Sequence, residues 1–350
     1  MIFSTPALTT PPRQIQLRLI VAVLIRFMAL LMALLPATLL AGEPLQPSDN
    51  IKRYPLGLHL QLLEDPTTQW TVQEVLSAAK AKTFRPSNQE VPNFASSQSA
   101  WWAKFSIKNP SNLSQQWILE LAHPTMDIVE VYFLPFEAVD TNRAVITGES
   151  LPFASRAVDH PNFVFPFTLA SQQTQTVLLK IRNSDTAILP LTLWDPQAFI
   201  EHTTHKAMGF GLYYGIMLVM VLYNFFLFIS TRDKNFLYYV LYIFFFSLTM
   251  FSLNGLSYQY LWPESPYWAS HSPTFLGSIS IASGLLFTHH FLRLSTYHPG
   301  LNRLFIITES IIALLGVGFL VMPQGVAAML SVITLIIAIP MMISINCGKY

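Results

Sequence analysis

From Trp101 to Lys108 apolar and polar residues alternate. Trp101, Ala103, Phe105 and Ile107 fall on one face, and Trp102, Lys104, Ser106 and Lys108 on the other. Period-two alternation predicts a half-buried strand. The pattern recurs at Trp117–Leu121, where Trp117, Leu119 and Leu121 point inward, and at Asp127–Leu134, where Val129, Val131 and Phe133 do. Further inward rows are Phe163, Phe165, Phe167 and Leu169, then Val177, Leu179 and Ile181, then Leu189, Leu191 and Leu193. Asn109-Pro110-Ser111-Asn112 reads as a turn. One helix is predicted after Trp70, because Thr71-Val72-Gln73-Glu74 fits a capping box. Many short strands with few helices predict an all-β sandwich or jelly roll over residues 43–200.

The pattern changes beyond a short linker at 201–206. Apolar runs at 207–229, 235–256, 273–292, 304–322 and 325–346 each approach the roughly 20 residues that cross a hydrocarbon core, which makes about five spans. The loop after the first run carries Arg232 and Lys234, the third carries Arg293 and Arg303, and Lys349 follows the last run. The second and fourth loops carry no Lys or Arg, so the basic loops are predicted to be cytoplasmic. The 43–200 domain then lies outside the cytoplasm, in the periplasm of a bacterial inner membrane. The N-terminus agrees: Arg13 and Arg18 precede an apolar run from Leu19 to Leu40, and Ala41-Gly42 follow. Residues 1–42 have the layout of a signal peptide, with an uncleaved signal anchor as the alternative.

Composition sharpens the class. Hydrophobic residues make up 52% of the 350 and charged residues 11%, against roughly 25% charged in a soluble domain. Membrane lipid is therefore an expected partner. Net charge is +1, so no basic field points to nucleic acid. The single cysteine, Cys347, excludes an intramolecular disulfide and a cysteine-rich zinc site.

The outward strand faces collect Trp102, Lys104, Glu130, Tyr132, Lys180, Arg182 and Trp194. Rings beside charged hydrogen-bonding groups suit a small ligand such as a sugar, because sugar C–H faces stack and hydroxyls are bonded. The plainer alternative is a solvated sheet face. Within the apolar runs, Asn224, Asn254, His289, His290 and Glu309 stand out, since polar groups in a bilayer are costly. Asn224 is expected to make an interhelical hydrogen bond, and Glu309 to meet His289 or His290 at matching depth. Gly211 and Gly215, four apart, permit close helix packing, within the chain or at a dimer face. The aromatic cluster Tyr258, Tyr260, Trp262, Tyr267 and Trp268 reads as an interfacial belt. No catalytic set, metal site or cofactor motif is found. A G-x-S-x-G elbow is absent, and His59, His123 and His160 lack the spacing of a triad or a metal site.

Several stretches together resemble a known family. Trp101-Trp102-Ala103-Lys104-Phe105, Trp117-Ile118-Leu119-Glu120-Leu121, Asp127-Ile128-Val129-Glu130-Val131-Tyr132, Ser155-Arg156, Phe165-Pro166-Phe167 and Leu178-Leu179-Lys180-Ile181-Arg182 occur in that order. They resemble the type 2 extracellular domain of bacterial seven-transmembrane receptors with diverse intracellular signalling modules. Gly211-Leu212-Tyr213-Tyr214-Gly215, Tyr223-Asn224, Arg232-Asp233 and Tyr238-Tyr239 resemble the membrane half of that family. The resemblance implies a jelly-roll sensor for carbohydrate-like ligands, seven helices and a cytoplasmic output such as a diguanylate cyclase, histidine kinase or phosphatase. This chain shows about five spans of the seven and no output motif. It is therefore expected to be a truncated receptor whose output module is missing from the chain. A homodimer or a separate cytoplasmic signalling protein is the expected partner. A transporter component, or an accessory protein docking onto a partner's helices, is the alternative.

Overall fold

A computed structural model of the chain describes residues 43–48, 50–134 and 144–344. The signal or anchor expected over 1–42 lies outside the described residues.

Twelve strands build the first half. They are β1 (Arg53–Pro55), β2 (Gln61–Asp65), β3 (Arg85–Pro86), β4 (Asn93–Ser96), β5 (Ala100–Lys108) and β6 (Gln115–Leu121). Then follow β7 (Ile128–Leu134), β8 (Val145–Thr147), β9 (Phe163–Leu169), β10 (Thr174–Arg182), β11 (Thr186–Ile188) and β12 (Leu191–Trp194). One sheet has the order β1-β12-β6-β9 and the other β3-β2-β5-β10-β7-β8, and β4 pairs with β11 apart from them. The pairings are antiparallel. The inward rows read from the alternation meet between the two large sheets: Phe105 and Ile107 pack with Leu119, Leu121, Val129, Val131, Phe163, Phe165, Val177 and Leu179 in one core. At roughly 1.5–3 kcal/mol for each large apolar side chain removed from water, this core drives the folding of the sandwich. Asn109 begins the predicted turn and holds it: its side chain donates to the carbonyls of Leu113 (2.8 Å) and Ala170 (3.0 Å).

The predicted helix is present as α1 (Val72–Leu76), followed by α2 (Ala78–Ala81). Both halves of the capping box form. The Thr71 hydroxyl accepts from the Glu74 amide, and the Glu74 carboxylate accepts from the Thr71 amide at 2.8 Å. The Glu74 carboxyl is held below its usual range chiefly by the bond from the Thr71 amide, and next by the Thr71 hydroxyl, which donates to the same carboxylate at 3.1 Å.

The membrane half consists of α3 (Pro196–Thr231), α4 (Lys234–Leu253), a short α5 (Leu256–Tyr260), α6 (Pro266–Phe291), a short α7 (Leu294–Tyr297), α8 (Pro299–Gly318) and α9 (Gln324–Ser344). The expected linker at 201–206 is not a linker. Asp195 caps α3 by accepting from the amides of Gln197 and Ala198, Pro196 fills the first turn, and the helix runs 36 residues without a break. That is about 54 Å at 1.5 Å per residue, well beyond a hydrocarbon core. The sandwich thus enters the bundle through continuous helix.

Among the described residues four helices, α3, α4, α8 and most of α9, are long and apolar enough to cross a membrane. The third expected span, 273–292, corresponds to α6, which is 26 residues long but not apolar enough to join them. Its polarity has a structural cause. Ser272, Ser278, Ser280 and Ser283 are buried where α6 packs against α4, α8 and α9, so this helix occupies the middle of the bundle and needs little apolar surface of its own. The segments after α4 and after α8 both reach the sandwich: the Phe153 amide donates to the Pro263 carbonyl at 2.9 Å, and a Cβ on Gly325 would lie 2.9 Å from the Ser184 carbonyl. The two loops without Lys or Arg therefore share the sandwich side, and the basic loops lie at the opposite ends of the helices.

Candidate functional site

The register of the six-stranded sheet explains why its outward face attracted attention. Trp102 lies opposite Lys180, which lies opposite Glu130, and in the next row Lys104, Leu178 and Tyr132 align. Four of the expected ligand-binding residues thus share one face in two adjacent rows, with Arg182 exposed at the end of β10. This face is not open, however. Trp102 is 0% exposed, packed with Leu63, Val72, Val75, Tyr132 and Leu178 under α1, and Trp70 lies against the same cluster. It stacks on Tyr132 at 6.0 Å, and Lys180 Nζ sits 5.2 Å above it while donating to the Trp70 carbonyl at 3.0 Å. Lys104 Nζ covers the Phe84 ring at 4.5 Å. Tyr132 donates to Glu130 at 2.5 Å, and burial and that carboxylate push its phenol up. The expectation of a stacking platform at Trp102 is corrected: the apolar face of the Thr71-capped helix needed a partner, and Trp102 provides it.

Trp194 belongs elsewhere. It lies on the outward face of the other large sheet, packs with Val164 and Phe199, and stacks on His202 of α3 at 4.7 Å. Its Nε1 donates to Glu120 at 2.9 Å, and Asn162 donates to the same carboxylate at 2.7 Å. It anchors the start of α3 rather than joining Trp102.

A different constellation forms where the sandwich meets the bundle. Arg156, one half of the Ser155-Arg156 pair, is buried and donates to the carbonyls of Pro124 (3.0 Å), His160 (3.0 Å) and Pro161. Its guanidinium lies 5.9 Å from the Tyr258 ring, and Tyr258 donates to the Leu151 carbonyl. Gln259 adds a 2.7 Å bond to Asp159. At Gly255 the backbone has φ +75°, and a Cβ there would approach Pro124 Cβ to 2.6 Å, so only glycine allows the loop to dock this closely. The aromatic cluster read as a belt is therefore divided. Tyr260 and Tyr267 are exposed, whereas Tyr258 is buried against the sandwich.

Beside this contact lies a cavity of about 750 Å³, lined from the sandwich by Asp127, Glu149 and Asn183 and from the helices by Phe246, Met250 and Ile281. Glu149 is 6% exposed, and burial, then the nearby Asp127 charge, push its carboxyl up to about 8. Arg156 is pulled down to about 10, chiefly by burial. Asp127 accepts from the Ser184 amide at 2.6 Å, and its own amide donates to Asn183. Sequence reasoning missed Glu149 because it follows Gly148 in a turn, where neither periodicity applies. The signal present was an acid directly after a glycine whose added Cβ would lie 2.0 Å from the Asp127 carbonyl.

In the bundle, Asn224 bonds its own helix rather than a neighbour, donating to the Met220 carbonyl at 2.8 Å, because an amide four residues on reaches that oxygen. The interhelical bond is made by Asn254, which donates to Tyr214 at 3.0 Å. His290 meets the Tyr238 ring at 4.5 Å. His289 Nδ1 lies 3.7 Å from Glu309 Oε2, and neither atom has a hydrogen bond. A double-mutant cycle on His289→Ala and Glu309→Gln should give a coupling of about 0.5–2 kcal/mol, read from unfolding of the full chain in detergent. Additive effects would remove the pair. Among the described residues nothing packs on Gly211 or Gly215: no described atom lies within 4 Å of a Cβ built on either. Helix α3 meets α4 instead along Tyr214, whose ring lies 5.1 Å from Phe251.

Among the described residues no cluster of three or more His, Cys, Asp or Glu could hold a metal. Two family models match the chain. One, described as 7TMR-DISM extracellular 2, covers residues 57–195, and the other, 7TM diverse intracellular signalling, covers 206–348. No curated protein matches it.

Proposed function

Since the chain belongs to the seven-transmembrane receptors with diverse intracellular signalling modules, we propose that it is a receptor in which the β-sandwich takes the input and the docked loop after α4 relays it to the helices. The sensing and signalling role follows from the two domains. The supporting observation for this relay is the contact around Tyr258, Arg156 and Gly255, which ties the sandwich to the bundle at a second place besides α3. An input that shifts one partner of that contact biases the other, which is what coupling requires. The sandwich faces the periplasm of an inner membrane, its ligand is a small molecule, and the output is a cytoplasmic module or partner coupled to the basic ends of the helices. A carbohydrate-like ligand would need an uncovered ring beside its hydrogen bonders. Trp102 does not offer one, so the site favoured here is the cavity next to the relay contact.

The experiment is a distance measurement. In a Cys347→Ser background reconstituted in nanodiscs, spin labels at Arg232 and Arg303 report the far side of the bundle. Tyr258→Ala, which removes the bond to Leu151, should shift or broaden their distance distribution. An unchanged distribution, with hydrogen exchange showing the loop released from the sandwich, would defeat the relay.

A further inference from the structure

The cavity at the junction has two unlike walls. The sandwich contributes the carboxyl groups of Asp127 and Glu149, and the helices contribute Phe246, Met250 and Ile281. The acidic wall makes no ion pair with a described residue, though His123 and His271 line the same cavity. The terminal nitrogens of the nearest guanidinium, Arg156, donate to the carbonyls of Pro124, His160 and Pro161, and the one close approach of a basic and an acidic side chain among the described residues is that of His289 and Glu309, elsewhere in the bundle. No hydrogen bond from a described residue reaches the Glu149 carboxyl group, which feels Asp127 and Arg156 only through space. It is an almost fully buried acid that lines a cavity and lacks a partner. Buried polar groups are ordinarily paired, and an exception calls for an explanation.

We propose that this cavity binds an amphiphile with a protonated primary amine head, the ammonium seated between Asp127 and Glu149 and the alkyl chain against Phe246, Met250 and Ile281. The proposal rests on the receptor reading and names the ligand class for its site. A cation there supplies the charge that both carboxylates lack and the donor that Glu149 lacks, and charge-assisted bonds of this kind are the strong ones. The chain of the ligand covers the apolar side chains that line the cavity, which adds affinity in proportion to the area buried. A neutral or anionic head of the same length gains only the second contribution, and the anion is repelled by Asp127. An amine could come from a free alkylamine or from the headgroup of an aminophospholipid, and the geometry serves both.

The test uses the full chain in phosphatidylcholine nanodiscs, with empty discs as the background. Decylamine should bind saturably above that background, at least tenfold more tightly than 1-decanol or decanoate. At a pH above about 8, where the Glu149 carboxyl is ionised and the alkylamine still protonated, Glu149→Gln, which keeps the shape and removes the charge, should weaken decylamine at least tenfold and leave decanol unchanged. Its unfolding midpoint is recorded in parallel, so that loss of fold is not taken for loss of binding. Phosphatidylethanolamine added to the discs either competes, which makes the lipid headgroup the source, or does not, which makes it a free amine. Decanol binding as tightly as decylamine, or decylamine binding unaffected by Glu149→Gln, overturns the site. The spin-label distances with Tyr258→Ala need no ligand, so failure here leaves the relay standing, and failure there leaves the amine site standing.

Discussion

Raising the pH from about 6.5 to about 9 should destabilise the sandwich by about 2 kcal/mol, and Glu149→Gln should remove most of that loss. The Glu149 carboxyl sits at about 8 in the folded chain, pushed up from an ordinary 4.5 by burial and by Asp127. Between those values the folded state holds a proton that the unfolded state has released, so stability falls as pH rises, by about 1.4 kcal/mol per unit. Above about 8 both states have lost the proton and the dependence stops. The buried histidines His123 and His160 act with the opposite sign. Burial lowers both, so they favour folding as pH rises, but only up to their unfolded value of 6.5. Starting the titration there leaves Glu149 as the main contributor, facing Asp127 and Arg156 on its own side and His271 across the cavity. For a domain of this size about 2 kcal/mol moves the unfolding midpoint by roughly 4–8 °C. The measurement is thermal unfolding of the full chain in nanodiscs at both pH values. Parallel losses in the wild type and in Glu149→Gln would mean that another group titrates.

The parts of the structure governed by a repeating pattern were legible in the sequence. The inward row of β5 faces the core, because alternation fixes the side of every residue in a strand once one side is buried. The capping box at Thr71 formed for a similarly local reason. What alternation could not tell was whether the second face of a strand meets water. Trp102 and Tyr132 were correctly set opposite the core row, yet a five-residue helix covers them, and nothing in β5 itself announces a cover contributed by residues 72–76. The junction was less legible still. Arg156, Glu149 and Gly255 lie in turns and loops, and they come together only because the loop after α4 docks on the sandwich. In the bundle, the length of α6 could be read but its position could not. Serines that lower its hydropathy are the same residues that let three neighbouring helices pack against it.

Replacing Trp102 by alanine should cost about 3–5 kcal/mol of sandwich stability, more than the same change at Trp101. The two neighbouring indoles look equivalent in sequence but not in the fold. Trp101 is partly exposed and stacks on Phe94 at 4.2 Å, so truncating it opens part of its site to water. Trp102 is fully enclosed between the sheet and α1, and its removal leaves a cavity bounded by Leu63, Val75, Tyr132 and Leu178 that a five-residue helix can fill only by shifting. The same change removes the ring beneath Lys180, which worsens the loss. A second variant separates packing from polarity. The Trp102 Nε1 is buried without a hydrogen bond, so Trp102→Phe sacrifices volume but no polar partner and should cost clearly less than Trp102→Ala. Unfolding midpoints of the three variants in the full chain decide the matter. An order in which Trp101→Ala is the most damaging would mean that α1 does not close the outward face, and would reopen that face to a ligand.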